Sequence, residues 1–133
     1  MRSKWVRPLF IIAGFYDGIL GLAFLIVPVQ IFAMYQVTPP NHLAYIQFPA
    51  LLLIVFAIMF FRIAADPVRR RELVLYGAGL KIAYCAPAFF YDITTEIPSM
   101  WMPWAWMDLA FLVLFALAWF ALGSEAAASP TSR

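Results

Sequence analysis

Residues 13–24 read AGFYDGILGLAF, and one aspartate, Asp17, stands in the middle of this apolar stretch. Extended from Pro8 to Val27, the run is about 20 residues long, enough for a helix rising about 1.5 Å per residue to cross the hydrocarbon core of a bilayer. Its spacing is helical. Gly14, Asp17, Gly18, Gly21 and Leu25 recur at steps of three and four, so they share one stripe of the helix. Gly14 and Gly18 form a GxxxG, the small-residue pattern that lets two helices approach closely in lipid. A charged side chain at the bilayer centre costs at least about 2.5–3.5 kcal/mol. Asp17 therefore calls for a partner on another helix.

Three further stretches have the same character: Leu43–Ala65, Leu73–Tyr91 and Trp101–Leu122. The chain as a whole is 65% hydrophobic and 12% charged, with a mean hydropathy of +0.87. A soluble domain carries about 25% charged residues, so this chain lacks the polar surface that water would require. In lipid every backbone polar group must be paired internally, which leaves helices or a closed barrel. Strand-like alternation is absent, so the expected fold is an all-α membrane protein, a bundle of four transmembrane helices over residues 1–123. The small, polar residues 124–133 are expected to be a disordered tail.

Punctuation supports these limits. Pro28 ends the first span, and VTPPNH (37–42) reads as a turn. Asp66 and Pro67 read as N-cap and first residue of the third helix. TTEIPSMWMP (94–103) reads as the loop into the fourth. The first span starts in a basic segment, but its apolar part of about 20 residues exceeds the 7–15 of a signal peptide, so it is expected to stay in the protein.

The basic residues set the orientation. Arg2, Lys4 and Arg7 precede the first span, Arg62 and Arg69–Arg71 lie around the second connection, and Arg133 follows the fourth span. The other two connections contain no Lys or Arg. By the positive-inside rule both termini are cytoplasmic, which suits a multi-pass protein of a bacterial inner membrane. Reporter fusions after Gln36 and Ile97 are expected to read outside, and fusions after Ala65 and Gly123 inside. A cytoplasmic signal from the Ile97 fusion would overturn this orientation.

Lys81 is the exception among the basic residues, since it falls inside the third span. Counted from the same side as Asp17, the two lie at similar depths, about 15 Å in at about 1.5 Å per residue. Asp108 lies inside the fourth span, on the outer side of the midplane. Gly77, Ala78, Lys81, Cys85 and Ala88 form a small-residue stripe on the third span, and Trp104, Ala105, Asp108, Phe111 and Leu112 share a face of the fourth. Lys81 between Asp17 and Asp108 is the economical arrangement. The three sum to a formal −1, which is unfavourable in a dry interior. The cluster reads either as a staple that fixes helix register or as the floor of a ligand site.

The outer half of the bundle carries features of a cavity. Pro49 and Pro87 stand inside spans, where each removes a helix hydrogen bond. Broken helices at membrane depth occur where they line a cavity or pack on protein. A small outward-opening pocket is expected above the charges, lined by Tyr16, Gln47, Tyr84 and Trp104, with Asp17 anchoring the polar feature of a mostly apolar ligand. Trp101, Trp104 and Trp106 read as an interfacial aromatic belt. The RRRE run at 69–72 reads as a topology determinant, and Cys85 as a packing residue.

Several chemistries are left without residues. The single cysteine, Cys85, allows no internal disulfide, and no metal-spaced cluster occurs. The single histidine, His42, excludes a bis-histidine haem. No metal, cofactor or nucleic-acid partner is expected, and no nucleophile–base pair marks an enzyme.

The segments YDGILGLAFLIVP (16–28), PPNHLAYIQFPALLLIVFAIMF (39–60), ADPVRRRELVLYGAGLKIAYC (65–85) and WMDLAF (106–111) resemble the DoxX-like group of small four-helix bacterial membrane proteins, in an uncharacterised branch. DoxX relatives include a subunit linked to quinone-dependent sulfur oxidation. The resemblance implies a fold and a membrane role but assigns no catalytic residue. The leading expectation is a non-enzymatic module in the lipid bilayer. It would bind a lipophilic small molecule, a lipid or a quinone, or support a membrane complex as a subunit or homo-oligomer. An intramembrane acid–base enzyme, isomerase-like, and a proton-coupled carrier are the alternatives. Four spans without an internal repeat weigh against the carrier unless a dimer supplies more helices.

Overall fold

The computed structural model describes residues 3–128. It contains α1 (Val6–Ile26), α2 (Pro28–Met34), α3 (Ala44–Ala65), α4 (Arg71–Thr94), a 3₁₀ turn (Ser99–Trp101) and α5 (Met102–Ala128). Four of these helices, α1, α3, α4 and α5, are long and apolar enough to cross a membrane. They form an antiparallel bundle, with Lys4, Arg7, Arg62 and Arg69–Arg71 gathered at one end. This is called the basic end here, and the opposite end the distal end. Arg2, Arg133 and residues 129–133, which bear on the charge pattern and the expected tail, lie outside the described residues.

The surface of the bundle is apolar. Ile12, Phe15, Ile19 and Ile26 on α1, and Phe48, Val55 and Ile58 on α3, are each more than half exposed. Exposing such rows to water is unfavourable, at about 25 cal/mol for each Å² of apolar surface, whereas in lipid they are solvated. Fold and surface together define a multi-pass membrane protein.

The helices associate as two pairs, α1 on α3 and α4 on α5, joined by sparser contacts between α3 and α4 and between α1 and α5. Glycine explains the first pair. A Cβ on Gly21 would stand 2.7 Å from the Ala50 carbonyl oxygen of α3, so the two backbones touch there. The glycine stripe thus meets α3, while Asp17, one step round the helix, faces α4.

At the basic end the pairs share one core. Phe10, Phe60 and Phe115 are fully buried, with Phe10 and Phe115 stacked at 4.7 Å between ring centroids. Arg7 Nε donates to the Ala64 carbonyl at 3.0 Å. Arg71 Nε donates to the Trp119 carbonyl at 2.8 Å, and its guanidinium lies 3.5 Å from the Trp119 ring centroid. Arg7 thereby places positive charge near the C-terminus of α3, where the helix dipole favours it, whereas Arg71 meets α5 more than two turns before its end.

Three boundaries differ from the sequence reading. Pro28 ends α1 but also opens α2, as proline suits a first helical turn. That short helix ends in a Schellman motif: Val37 N–H donates to Phe32 O and Gln36 N–H to Ala33 O, with Gln36 at φ 56°. Asp66 is the C-cap of α3, not an N-cap. It carries a turn over 67–70 in which Arg69 N–H reaches its Oδ1 at 3.4 Å, and α4 begins only at Arg71. Finally, α5 runs to Ala128, so residues 124–128 are helical and not a disordered tail. Glu125 and Ala126–Ala128 are strong helix formers that extend a helix already nucleated in the bundle.

Candidate functional site

Lys81 is completely buried near the middle of α4. Its ammonium donates to Asp17 Oδ1 at 3.0 Å, Asp17 Oδ2 at 2.8 Å and Asp108 Oδ1 at 2.9 Å. An ammonium has three protons, so Lys81 is saturated. Asp17, 1% exposed, spends both oxygens on it. The expected cluster therefore exists, and it ties the α1–α3 pair to the α4–α5 pair. Aromatic rings surround the ammonium: the centroids of Phe111, Tyr16 and Phe60 lie 5.0, 5.6 and 5.8 Å from Nζ.

Asp108 differs from Asp17. It is 7% exposed as a residue, and only Oδ1 meets Lys81. Its Oδ2 has no partner among the described residues. Both aspartates border a cavity of about 450 Å³ in the distal half of the bundle. Asp17, Leu20 and Phe24 of α1 form its back wall, Pro49 and Leu53 of α3 one side, and Ala83 and Pro87 of α4 the other. Trp101, Trp104 and Asp108 complete it. The two mid-helix prolines line this space, although α3 and α4 run through them as continuous helices.

The cavity has a lateral opening. Its exposed wall residues, Pro49 and Leu52 on α3 and Ala83, Pro87 and Tyr91 on α4, mark a mouth between the distal halves of α3 and α4. The axial route is covered by aromatic packing. Phe32 of α2 folds back against Phe24 and Trp101, with centroid distances of 6.4 and 5.9 Å, and Met100 is buried beside them. Tyr84 Oη donates to the Trp101 carbonyl at 2.8 Å and holds the 3₁₀ turn in place.

Of the four residues expected to line the pocket, Tyr84 and Trp104 do. Gln47, half-buried in the first turn of α3, does not border it. Tyr16 lies behind the wall, its ring 5.3 Å from Phe111 and 6.5 Å from Trp104. The Tyr16 hydroxyl and Trp104 Nε1 are buried without hydrogen-bond partners. The expected tryptophan belt is divided. Trp101 and Trp104 turn inward to the cavity, whereas Trp106 is 60% exposed and packs edge-on against Phe89. Composition alone does not distinguish an inward tryptophan from an interfacial one; the helical offset of Trp101 and Trp104 from Asp108 carries that signal.

Cys85 is buried, with Sγ 3.5 Å from the Ala105 carbonyl, a packing position. His42 is exposed in the α2–α3 connection, where Nδ1 accepts from Ala44 N–H at 3.1 Å. Among the described residues no three His, Cys, Asp or Glu side chains converge as metal ligands do.

Fold and site define a class: a small multi-pass membrane protein with a buried acid–lysine–acid cluster beneath a lateral apolar cavity. The chain matches no protein-family model, no curated protein and no solved structure.

Proposed function

We propose that this protein is a DoxX-like module of the bacterial inner membrane that binds a mostly apolar small molecule drawn from the lipid phase, alone or as an accessory subunit of a membrane complex. The observation that carries the reading is the cavity: about 450 Å³, walled by apolar side chains and ending on a buried carboxylate. Ligand sites take this form, a volume of roughly 300–1,000 Å³ with few convergent polar groups. The ion cluster holds the two helix pairs together, and the mid-helix prolines support the gap between α3 and α4. With both termini cytoplasmic, the mouth faces the outer leaflet.

Purification in nanodiscs followed by quantitative mass spectrometry of retained small molecules tests this. Wild type is expected to retain one molecule per chain. Ala83→Phe, which places a ring at the mouth of the cavity, is expected to keep the fold and lose that molecule. Wild type and variant that are equally empty, with unfolding temperatures unchanged, would remove the reading and leave a structural staple.

A further inference from the structure

We propose that the cavity selects lipophilic cations, and that a protonated amine seated on Asp108 is its natural class of ligand. The inference rests on the binding reading above and narrows it. It follows from which polar groups at the cavity floor remain open. Lys81 does not border the cavity and has no proton to offer, because all three of its hydrogen bonds are made within the cluster. Asp17 has both oxygens engaged. The Tyr84 proton is spent on the Trp101 carbonyl. Trp104 Nε1 is an unpaired donor on a lining residue, but it is itself buried. What stays open to the cavity is an acceptor, Oδ2 of Asp108, a residue 93% buried by its 7% exposure.

A second acceptor belongs to the same wall. Pro87 has no N–H, so the Ala83 carbonyl lacks its helix donor, and both residues line the cavity. No Lys, Arg or His lines it. The cluster carries a formal charge of −1, two carboxylates against one ammonium, in surroundings too dry to screen it. A ligand bearing one positive charge brings that sum to zero and supplies the missing donor, and charge-assisted hydrogen bonds are roughly twice as strong as neutral ones. The aromatic walls suit the same ligand: Phe24, Tyr84, Trp101 and Trp104 present rings to the cavity, and aromatic faces attract cations. A ligand whose head offers only acceptors, such as a ketone or quinone carbonyl, meets acceptors in return, since the one unpaired donor on a lining residue, Trp104 Nε1, is buried.

The test uses three probes of equal chain length: dodecylammonium, 1-dodecanol and 2-dodecanone. Saturable binding to the full chain in detergent is measured at neutral pH by native mass spectrometry and by the rise in unfolding temperature. The ammonium is expected to bind at least about tenfold more tightly than the alcohol, a difference of about 1.4 kcal/mol, and the ketone most weakly. Asp108→Asn is expected to remove the preference for the ammonium, and Asp108→Glu to keep it. Should Asp108→Asn fail to fold, the ranking of the three probes on wild type decides alone, with Ala83→Phe as the control for occupancy of the cavity. Equal binding of ammonium, alcohol and ketone would overturn the cation assignment and leave the cavity as a general lipophile site. Absence of saturable binding by any probe would remove both readings.

Discussion

Replacing Lys81 with methionine is expected to destabilise the bundle by about 3–5 kcal/mol, the range found when one partner of a buried ion pair is removed. Methionine keeps much of the volume but none of the three donors. Two carboxylates then share a dry site with no counter-charge, and the only polar bridge between the helix pairs is lost among the described residues. Adding Asp17→Asn removes one of the stranded charges. The double variant is therefore expected to recover part of the loss, with a coupling between the two positions of about 0.5–3 kcal/mol. A double-mutant cycle read by thermal or SDS unfolding in detergent measures it. Additive effects within about 0.3–0.5 kcal/mol would mean that the two side chains do not interact.

Gly21→Ala is expected to cost about 1–3 kcal/mol, as overpacking of a tight contact does. The new methyl would stand 2.7 Å from the Ala50 carbonyl oxygen and 3.1 Å from side-chain atoms of Leu53 and Ile54. A backbone oxygen cannot rotate away, so α1 and α3 must separate. Gly79→Ala provides the contrast. Nothing lies within 4 Å of a Cβ there, and alanine is the better helix former by about 0.8–1.0 kcal/mol, so that variant is expected to be more stable than wild type. Gly14 falls between the two. Its Cβ would meet the Phe61 ring at 2.8 Å, but that ring is 38% exposed and free to swing outward. The rank order Gly79, Gly14, Gly21 in unfolding midpoints checks the packing of α1 on α3. A Gly21→Ala variant as stable as wild type would contradict it.

Much of the architecture was legible because lipid leaves few choices. Runs of about 20 apolar residues must become helices when no water is present to satisfy their backbones. The partnership of Asp17, Lys81 and Asp108 was legible for the same reason: an unpaired charge is costly there, and these three fall at compatible depths. What escaped the sequence reading lies at the edges, where water returns and the rules loosen. The helix Pro28–Met34 is too short for periodicity to reveal, and its Schellman end uses a glutamine where glycine is the usual signal. Asp66 followed by proline suits a helix start, yet the α3–α4 turn places it at a helix end.

The sequence by itself determined the solvent, the number of spans and the need for the buried charges to meet, since each follows from the cost of exposing polar groups to hydrocarbon. Only the tertiary structure decided how the charges divide their hydrogen bonds. Asp17 and Asp108 look alike in sequence as single acids within apolar spans, and Asp17 was the expected ligand anchor. In the bundle, Asp17 faces Lys81 with both oxygens, while Asp108 gives one and leaves the other at the floor of the cavity. The same packing turned Trp101 and Trp104 inward, closed the axial route with Phe32 and opened a mouth between α3 and α4. Helical spacing places a residue on a face to within a fraction of a turn. Which carboxylate oxygen stays open depends on the approach of three helices at once, and no single helix encodes that.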